Sequence, residues 1–164
     1  MPNHITNILS ISGDNSSETI LEINRLKQIV NNNHQNFSIE NYIPMPIDEE
    51  NFRIWRIKNW GTKWDVYEVS DWEYIISDIK PPIAKISFYT AWSTPFPAIL
   101  KLSKLFPTLR IECKFADEDT GSNCGMYVFK DGNLINEEVY PRITSHSKIF
   151  AESIYNESNK LYKI

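Results

Sequence analysis

The residues that could do acid–base chemistry stand at two distant places in the sequence. Asn3 and His4 lie near the start, and Asp117 and Glu118 lie in an acidic turn much later in the chain. A histidine beside a carboxylate can act as a general acid or base, because the unperturbed imidazole titrates near neutral pH. The same residues can also simply hydrogen-bond at the ends of strands. We therefore predict a ligand-binding or partner-binding role for them and assign no catalytic residue.

A second candidate site is the loop formed by Trp60, Gly61, Lys63, Trp64 and Asp65. The indole of Trp60 or Trp64 could stack on a nucleotide base while the ammonium group of Lys63 contacts a phosphate. The indoles could instead be buried to hold the loop on the sheet, with Lys63 or Asp65 satisfying loop amides. The sequence leaves both interpretations open.

Other catalytic and cofactor-binding patterns are absent from the sequence. It contains no GxSxG elbow, P-loop, HExxH or CxxC motif. Cys113 and Cys124 are too few for a complete zinc site, and three adjacent acids such as Asp117–Asp119 usually face solvent. We therefore expect no metal and no cofactor, and we favour a protein without catalytic activity.

Composition and charge limit the cellular locations and the classes of partner that are compatible with the chain. The hydrophobic runs are shorter than the roughly 18 residues that span a bilayer, and no signal peptide pattern is visible. The chain has only two cysteines, which fits a reducing cytosol, so we expect a cytoplasmic protein that does not enter a membrane. The formal charge is −4 and the basic residues are scattered along the sequence, which argues against a double-stranded DNA partner. A host protein, a small ligand or a nucleotide stays open as the partner.

Hydrophobic periodicity predicts one α+β domain over residues 1–164 with a ferredoxin-like core. Helices are predicted over 17–32 and from Thr94-Pro95 to Phe106. The four predicted strands are 4–12, 37–43, 84–91 and 109–116. Strands and helices alternate as β-α-β-β-α-β, which is the order of a split βαβ fold with an antiparallel sheet.

Three further segments are predicted around this core. Residues 47–81 are rich in tryptophan and irregular, which favours an insertion between the second and third strands. Residues 124–140 form an added hairpin, because Asp131-Gly132 is a strong two-residue turn signal. Residues 145–162 form a C-terminal helix.

Four motifs extend the fold prediction to a family. They are Met1-Pro2-Asn3-His4-Ile5-Thr6-Asn7, Ile43-Pro44-Met45-Pro46, Trp60-Gly61-Thr62-Lys63-Trp64-Asp65 and Thr90-Ala91-Trp92-Ser93-Thr94-Pro95. Through the order and spacing of these motifs, the chain resembles the YubB ferredoxin-like family found on phages and plasmids. The resemblance implies a ferredoxin-like fold and a mobile-element context. It implies no reaction, because it carries no established catalytic residues.

The expected strand directions place both candidate sites at one edge of the sheet. We take the first and third strands to run parallel and the second and fourth to run the other way. This arrangement predicts that Asn3, Trp60, Trp64 and Asp117 share one edge, with Trp92 at the opposite edge. Loops that bring polar groups and tryptophan together in this way are typical of binding sites.

One contact follows from that shared edge. The Trp60–Asp65 loop should pack on the Asp117–Gly121 turn. Lys63 should then lie beside Asp117 or Glu118 as a partly exposed pair worth at most about 1 kcal/mol.

Three functions are compatible with these predictions. The first is a non-catalytic binding module of a phage or mobile element, such as an inhibitor that occludes a host defence protein. The second is a small-ligand or nucleotide-binding protein that uses the Trp60–Asp65 loop. The third is single-strand RNA or DNA binding on the sheet face, although no basic groove accompanies Phe88 and Tyr89. The sequence favours the first function.

Overall fold

The computed structural model describes residues 2–14 and 16–163 and contains four helices and six strands in that part of the chain. No helix within these residues is long and apolar enough to cross a membrane. In chain order the elements are β1 (His4–Ser12), α1 (Ser16–Val30), α2 (Phe52–Asn59), β2 (Glu73–Ile75), β3 (Ile83–Ala91), α3 (Phe96–Leu105), β4 (Arg110–Asp117), β5 (Cys124–Lys130), β6 (Asn133–Val139) and α4 (Ser145–Leu161).

The strands form one antiparallel sheet in the order β2-β3-β1-β4-β5-β6. The first four of these positions reproduce the ferredoxin-like strand order, in which β1 lies between β3 and β4, although β1 and β3 run antiparallel here. The hairpin β5-β6 then widens the sheet beyond β4. The predicted ferredoxin-like α+β fold, including its C-terminal helix, is therefore confirmed.

The strand predicted at 37–43 is wrong, because these residues form turns. Phe37 and Ile39 alternate with polar neighbours since both insert into the core, where Phe37 stacks on Phe88 at a centroid distance of 4.8 Å. The amide of Ile39 donates to a side-chain carboxylate of Asp65 (2.8 Å) instead of a strand partner. The second strand is β2, inside the segment 47–81 that was predicted as an insertion. The long connection therefore precedes the second strand.

Both faces of the central sheet are covered by helices. Leu9 and Ile11 of β1 pack in one core with residues of α1 and α3. Ile8 points to the other face and packs with Ala151 and Ile154 of α4. A fully buried aliphatic side chain of this kind stabilises the fold by about 1.5–3 kcal/mol. The period of two along β1 therefore fixes which side chains meet each helical layer.

Helix α4 begins with a capping box that sets its position. The Thr144 hydroxyl accepts a hydrogen bond from the amide of Ser147 (3.0 Å), and the Ser147 hydroxyl accepts one from the amide of Thr144 (2.8 Å). Two of the amides that a helix start leaves unpaired are satisfied in this way. The helix can then lie across the sheet and bring polar side chains toward the start of β1.

Candidate functional site

Strand pairing brings three chain segments to one edge of the sheet. Because β1 runs antiparallel to both β3 and β4, His4 pairs with Ala91 and Ile5 pairs with Asp117. The start of β1 therefore lies beside the ends of β3 and β4. The predicted parallel direction of the first and third strands is wrong. Trp92 accordingly lies at the same edge as Asn3, where its amide donates to the Asn3 carbonyl (3.0 Å).

Four of the predicted site residues form a hydrogen-bonded group at this edge. The side-chain amide of Asn3 donates to a carboxylate oxygen of Asp117 (3.1 Å). The backbone amide of His4 donates to a carboxylate oxygen of Glu118 (2.9 Å), and the Glu118 amide donates to the His4 carbonyl (2.9 Å). Together with Tyr67, these residues are called the His4 cluster below. Its bonds tie the start of β1 to the end of β4.

The imidazole of His4 is held by a tyrosine that sequence reasoning missed. Its Nδ1 lies 2.5 Å from the Tyr67 hydroxyl. Partial burial, followed by the nearby charge of Glu118, raises the pKa of Tyr67 to about 12. The hydroxyl therefore keeps its proton at neutral pH, and the pair shares a hydrogen bond without forming a phenolate. An isolated bridge to Tyr89 of β3 brings Tyr67 to this position. This is a long-range contact, so no local sequence pattern could have predicted it.

An open pocket of about 350 Å³ adjoins the His4 cluster. His4 and Glu118 line it from the strand ends, Tyr89 lines it from β3, and Tyr155 and Asn159 line it from α4. The walls combine hydrogen-bonding groups with aromatic rings, which suits a small polar molecule. Within residues 2–14 and 16–163, no three or more His, Cys, Asp or Glu side chains are grouped so that they could hold a metal ion.

The tryptophan loop reaches the same edge, but Trp60 is part of the core. Its side chain is 1% exposed, its indole nitrogen donates to the Ile43 carbonyl (2.9 Å), and its ring packs edge-on against Trp55. Gly61 has a positive φ of 81°, and a Cβ at that position would lie 2.4 Å from Cδ of Pro97. Trp60 is therefore too deeply buried to contact a ligand, and Gly61 lets the loop approach α3 closely.

Asp65 also has a structural role. Its carboxylate accepts hydrogen bonds from the Ser38 hydroxyl (2.6 Å) and from the amides of Ile39 and Val66 (both 2.8 Å). Several donors to one carboxylate satisfy amides that would otherwise be unpaired at the edge of the core. Asp65 thus holds the turn that occupies the place of the predicted second strand.

Lys63 and Trp64 remain at the surface, where they meet Trp92. The Lys63 ammonium lies 4.5 Å from the ring centroid of Trp92 and 5.1 Å from that of Trp64. Among the described residues, no ion pair within 4.0 Å joins Lys63 to Asp117 or Glu118. The predicted pairing is therefore wrong, because the aromatic faces attract the ammonium group instead.

Trp92 is unusual in both exposure and backbone conformation. Its side chain is 45% exposed, and its φ is +70°, a left-handed value that a non-glycine residue adopts at a cost of about 1–2 kcal/mol. The Arg53 guanidinium lies 5.7 Å from its ring centroid. The positive φ turns the chain at the end of β3, and the indole is left between two cations.

Helix α2 adds apolar area to this surface. None of its residues is buried, and Phe52, Ile54 and Ile57 are 54%, 61% and 47% exposed. Ile57 lies one helical turn after Arg53 and shares its face. We call the group Arg53, Ile57, Lys63, Trp64 and Trp92 the Trp92 surface.

The segment 51–64, which supplies most of this surface, carries charge of one sign only. From position 51 to 64 the chain carries Arg53, Arg56, Lys58 and Lys63 and no acidic residue. Over the whole sequence the basic residues are scattered. The local excess of positive charge becomes visible only when this segment is considered by itself.

Comparison with known proteins gives a family for the chain. A family model described as the ferredoxin-like domain in Api92-like protein matches residues 59–164, well over half of the sequence. The resemblance to the YubB family is therefore wrong. Two of the four motifs on which it rested lie before residue 59, outside the matched segment. No curated protein matches the chain.

A solved structure is also similar. The crystal structure of a protein api92 from Yersinia pseudotuberculosis shares 13% sequence identity with the chain and has a TM-score of 0.46. The similarity covers 65% of the present chain and 40% of the other, so the chain spans less than half of the length of that protein.

Proposed function

The chain belongs to the family described as the ferredoxin-like domain in Api92-like protein, and we propose that it is a non-catalytic module that binds an acidic surface of another protein. The Trp92 surface carries this proposal. A large indole is left 45% exposed on a strained backbone, between two cations. Backbone strain of this kind is concentrated at functional positions.

The composition of the Trp92 surface favours a protein partner. Tryptophan and arginine are the residue types that most often dominate the binding energy of protein interfaces. Ile57 and the neighbouring exposed side chains Phe52 and Ile54 add apolar area, which a phosphate backbone would not cover. Apolar contacts around a central indole can exclude water from the flanking cations, and the energy of each ion pair with the partner then rises.

The charge of the surface favours an acidic partner. Arg53 and Lys63 flank the indole, and no carboxylate occurs between positions 51 and 64. A partner that places Asp or Glu opposite these cations gains complementary charge pairs, and such pairs mainly raise the association rate. The same surface disfavours a basic partner.

The other predicted functions find less support in the geometry. Trp60, one of the two indoles that could stack on a ligand, is buried. Helix α4 lies across the second sheet face, so the central strands offer no open face for nucleic acid bases. The phage origin and the host defence partner rested on the YubB resemblance and are not included in the proposal.

Interface variants test the proposal. The chain is immobilised and exposed to a cell lysate in three forms: wild type, Trp92→Ala with Lys63→Glu, and Ile149→Ala. Ile149 is 66% exposed on α4, away from the Trp92 surface, and serves as the matched control. Proteins enriched by the wild type are purified, and their affinity for each variant is measured by calorimetry.

We expect one partner whose affinity falls at least about tenfold with the double variant, because a central hot-spot residue typically contributes 2 kcal/mol or more. The Ile149→Ala variant should bind like the wild type. Raising the salt concentration should slow the association. Equal affinity of the double variant and the wild type would show that binding uses a different surface.

A further inference from the structure

A second pocket carries an unmatched positive charge. It lies between α2, α3 and the turn that joins β5 to β6, and its volume is about 490 Å³. Lys58 of α2 and Lys101 and Lys104 of α3 line it. Lys101 and Lys104 are three residues apart and therefore share one face of their helix. No acidic residue lines this pocket.

The three lysines differ from others that the fold neutralises. Lys85 and Lys114 each pair with Glu157, and Lys130 pairs with Asp14. Within the described part of the chain, Lys58, Lys101 and Lys104 take part in no ion pair within 4.0 Å. Three lysine side chains that line one cavity bring unpaired positive charge to it, which a bound anion would neutralise.

Helix ends account for only part of the cluster. Lys58 and Lys104 lie in the last turns of α2 and α3, where a cation complements the partial negative charge of the helix end. Lys101 lies before the last turn of α3, so the same explanation does not apply to it. Stabilisation of the two helix ends therefore explains Lys58 and Lys104 but not Lys101.

The pocket also has apolar walls. Ile43, Pro97 and Leu100 line it together with the lysines. Pro97 and Leu100 come from the first turns of α3, which is fixed on the sheet by its buried residues Ala98 and Ile99. A cavity lined by both apolar and cationic side chains suits a ligand that has an uncharged body and an anionic group.

We propose that this pocket, called the lysine pocket, binds an organic phosphate. The phosphate group contacts Lys58, Lys101 and Lys104, and the uncharged part of the ligand lies on Ile43, Pro97 and Leu100. A phosphate has three acceptor oxygens that can each meet a separate ammonium group, and lysine binds phosphate as a point charge. A carboxylate has only two oxygens and would leave one lysine unmatched. This site is separate from the proposed protein-binding function.

Calorimetric titration with three probes tests the proposal. Adenosine diphosphate has both a phosphate part and an uncharged part, inorganic pyrophosphate has only the first, and adenosine has only the second. The titrations use the full chain as wild type and as the double variant Lys101→Gln, Lys104→Gln. Glutamine is as good a helix former as lysine, so α3 should keep its structure.

We expect adenosine diphosphate and pyrophosphate to bind the wild type and adenosine not to bind. The double variant should lose about tenfold in affinity for each lysine removed, because each charged hydrogen bond is lost without leaving a buried partner. The control variant Lys148→Gln, Lys160→Gln removes two exposed lysines from α4, on the other side of the sheet, and should bind like the wild type.

Two results would overturn the proposal. One is the absence of binding for both phosphate probes at millimolar concentration. The other is equal affinity of the wild type and the Lys101→Gln, Lys104→Gln variant. Binding of pyrophosphate that is unchanged by Trp92→Ala would separate this pocket from the Trp92 surface, so either proposal can fail without the other.

Discussion

The backbone strain at Trp92 can be measured by comparing two replacements at one position. Trp92→Ala and Trp92→Gly both remove the indole and its contacts with Lys63 and Arg53. They differ in how well the new residue tolerates the φ of +70° that the structure has at this position and in the entropy that the unfolded chain loses on folding. Subtracting the same difference measured at a position without a positive φ leaves the strain.

The magnitude follows from two opposing terms. A left-handed backbone costs alanine about 1–2 kcal/mol and costs glycine almost nothing. Glycine loses about 0.4–1 kcal/mol more than alanine in the entropy of the unfolded chain. The Trp92→Gly variant should therefore be more stable than Trp92→Ala by up to about 1.6 kcal/mol. Once the entropy term has been removed with a control position, the strain itself should amount to about 1–2 kcal/mol.

Trp64 provides the matched control, because it lies on the same surface and does not have a positive φ. There the order should reverse, with Trp64→Ala more stable than Trp64→Gly. Urea unfolding of the four variants gives the free energies. If the difference between the glycine and alanine variants is the same at position 92 as at position 64, the backbone at Trp92 is not strained, and the functional interpretation of that strain is refuted.

Three further predictions concern the stability and reactivity of the chain. Asp65→Ala should destabilise the fold by about 2–4 kcal/mol, because two amides and a hydroxyl lose their acceptor, and Asp65→Asn should destabilise it less. Urea unfolding measures both, and equal losses of stability would contradict the structural role of the Asp65 carboxylate. Partial burial disfavours the charge of Glu157, but the hydrogen bond from Lys85 and the charge of Lys114 lower its pKa overall. Ionised Glu157 therefore contributes about 1 kcal/mol to the stability of the fold. This contribution is present above the unfolded pKa near 4.3 and is lost as the pH falls through the folded value. Glu157→Gln should therefore be less stable than the wild type at pH 7 and equally stable in strong acid, and a difference that persists in acid would contradict this sign. Burial raises the pKa of the Cys113 thiol to about 12, so a thiol reagent at pH 8 should label this cysteine only after the chain unfolds. Rapid labelling of the native protein would contradict this, because it would show that the thiol is accessible.

The family assignment illustrates how short motifs can mislead. The motif around Trp92 was interpreted as part of a family signature. In the structure the same residues end β3, and the indole is 45% exposed. Similar residues at similar spacing therefore do not establish a shared family. The match over residues 59–164 uses a much longer stretch of sequence.

Local pattern determined most of the fold. The strands β1, β3 and β4, the hairpin and the helices α1, α3 and α4 depend on periodicity, turn residues and caps that lie close together in sequence. Helix α2 was not predicted, because it lies in the segment 47–81 that was interpreted as an irregular insertion. The prediction failed at 37–43, where Phe37 and Ile39 alternate like a strand. Their burial comes from Phe88 and their amide partner from Asp65, both distant in sequence.

The candidate sites depended much more on tertiary structure. Composition identified the aromatic and charged residues, because it alone shows which groups can stack, pair or bind an anion. It could not show that Trp60 is buried while Trp92 is exposed, since the burial of an indole is decided by neighbours such as Trp55 and Ile43. Composition also could not show that Lys58 lies near Lys101 and Lys104. These lysines line one pocket only because α2 packs on α3, and their charges then act together although they are far apart in the sequence.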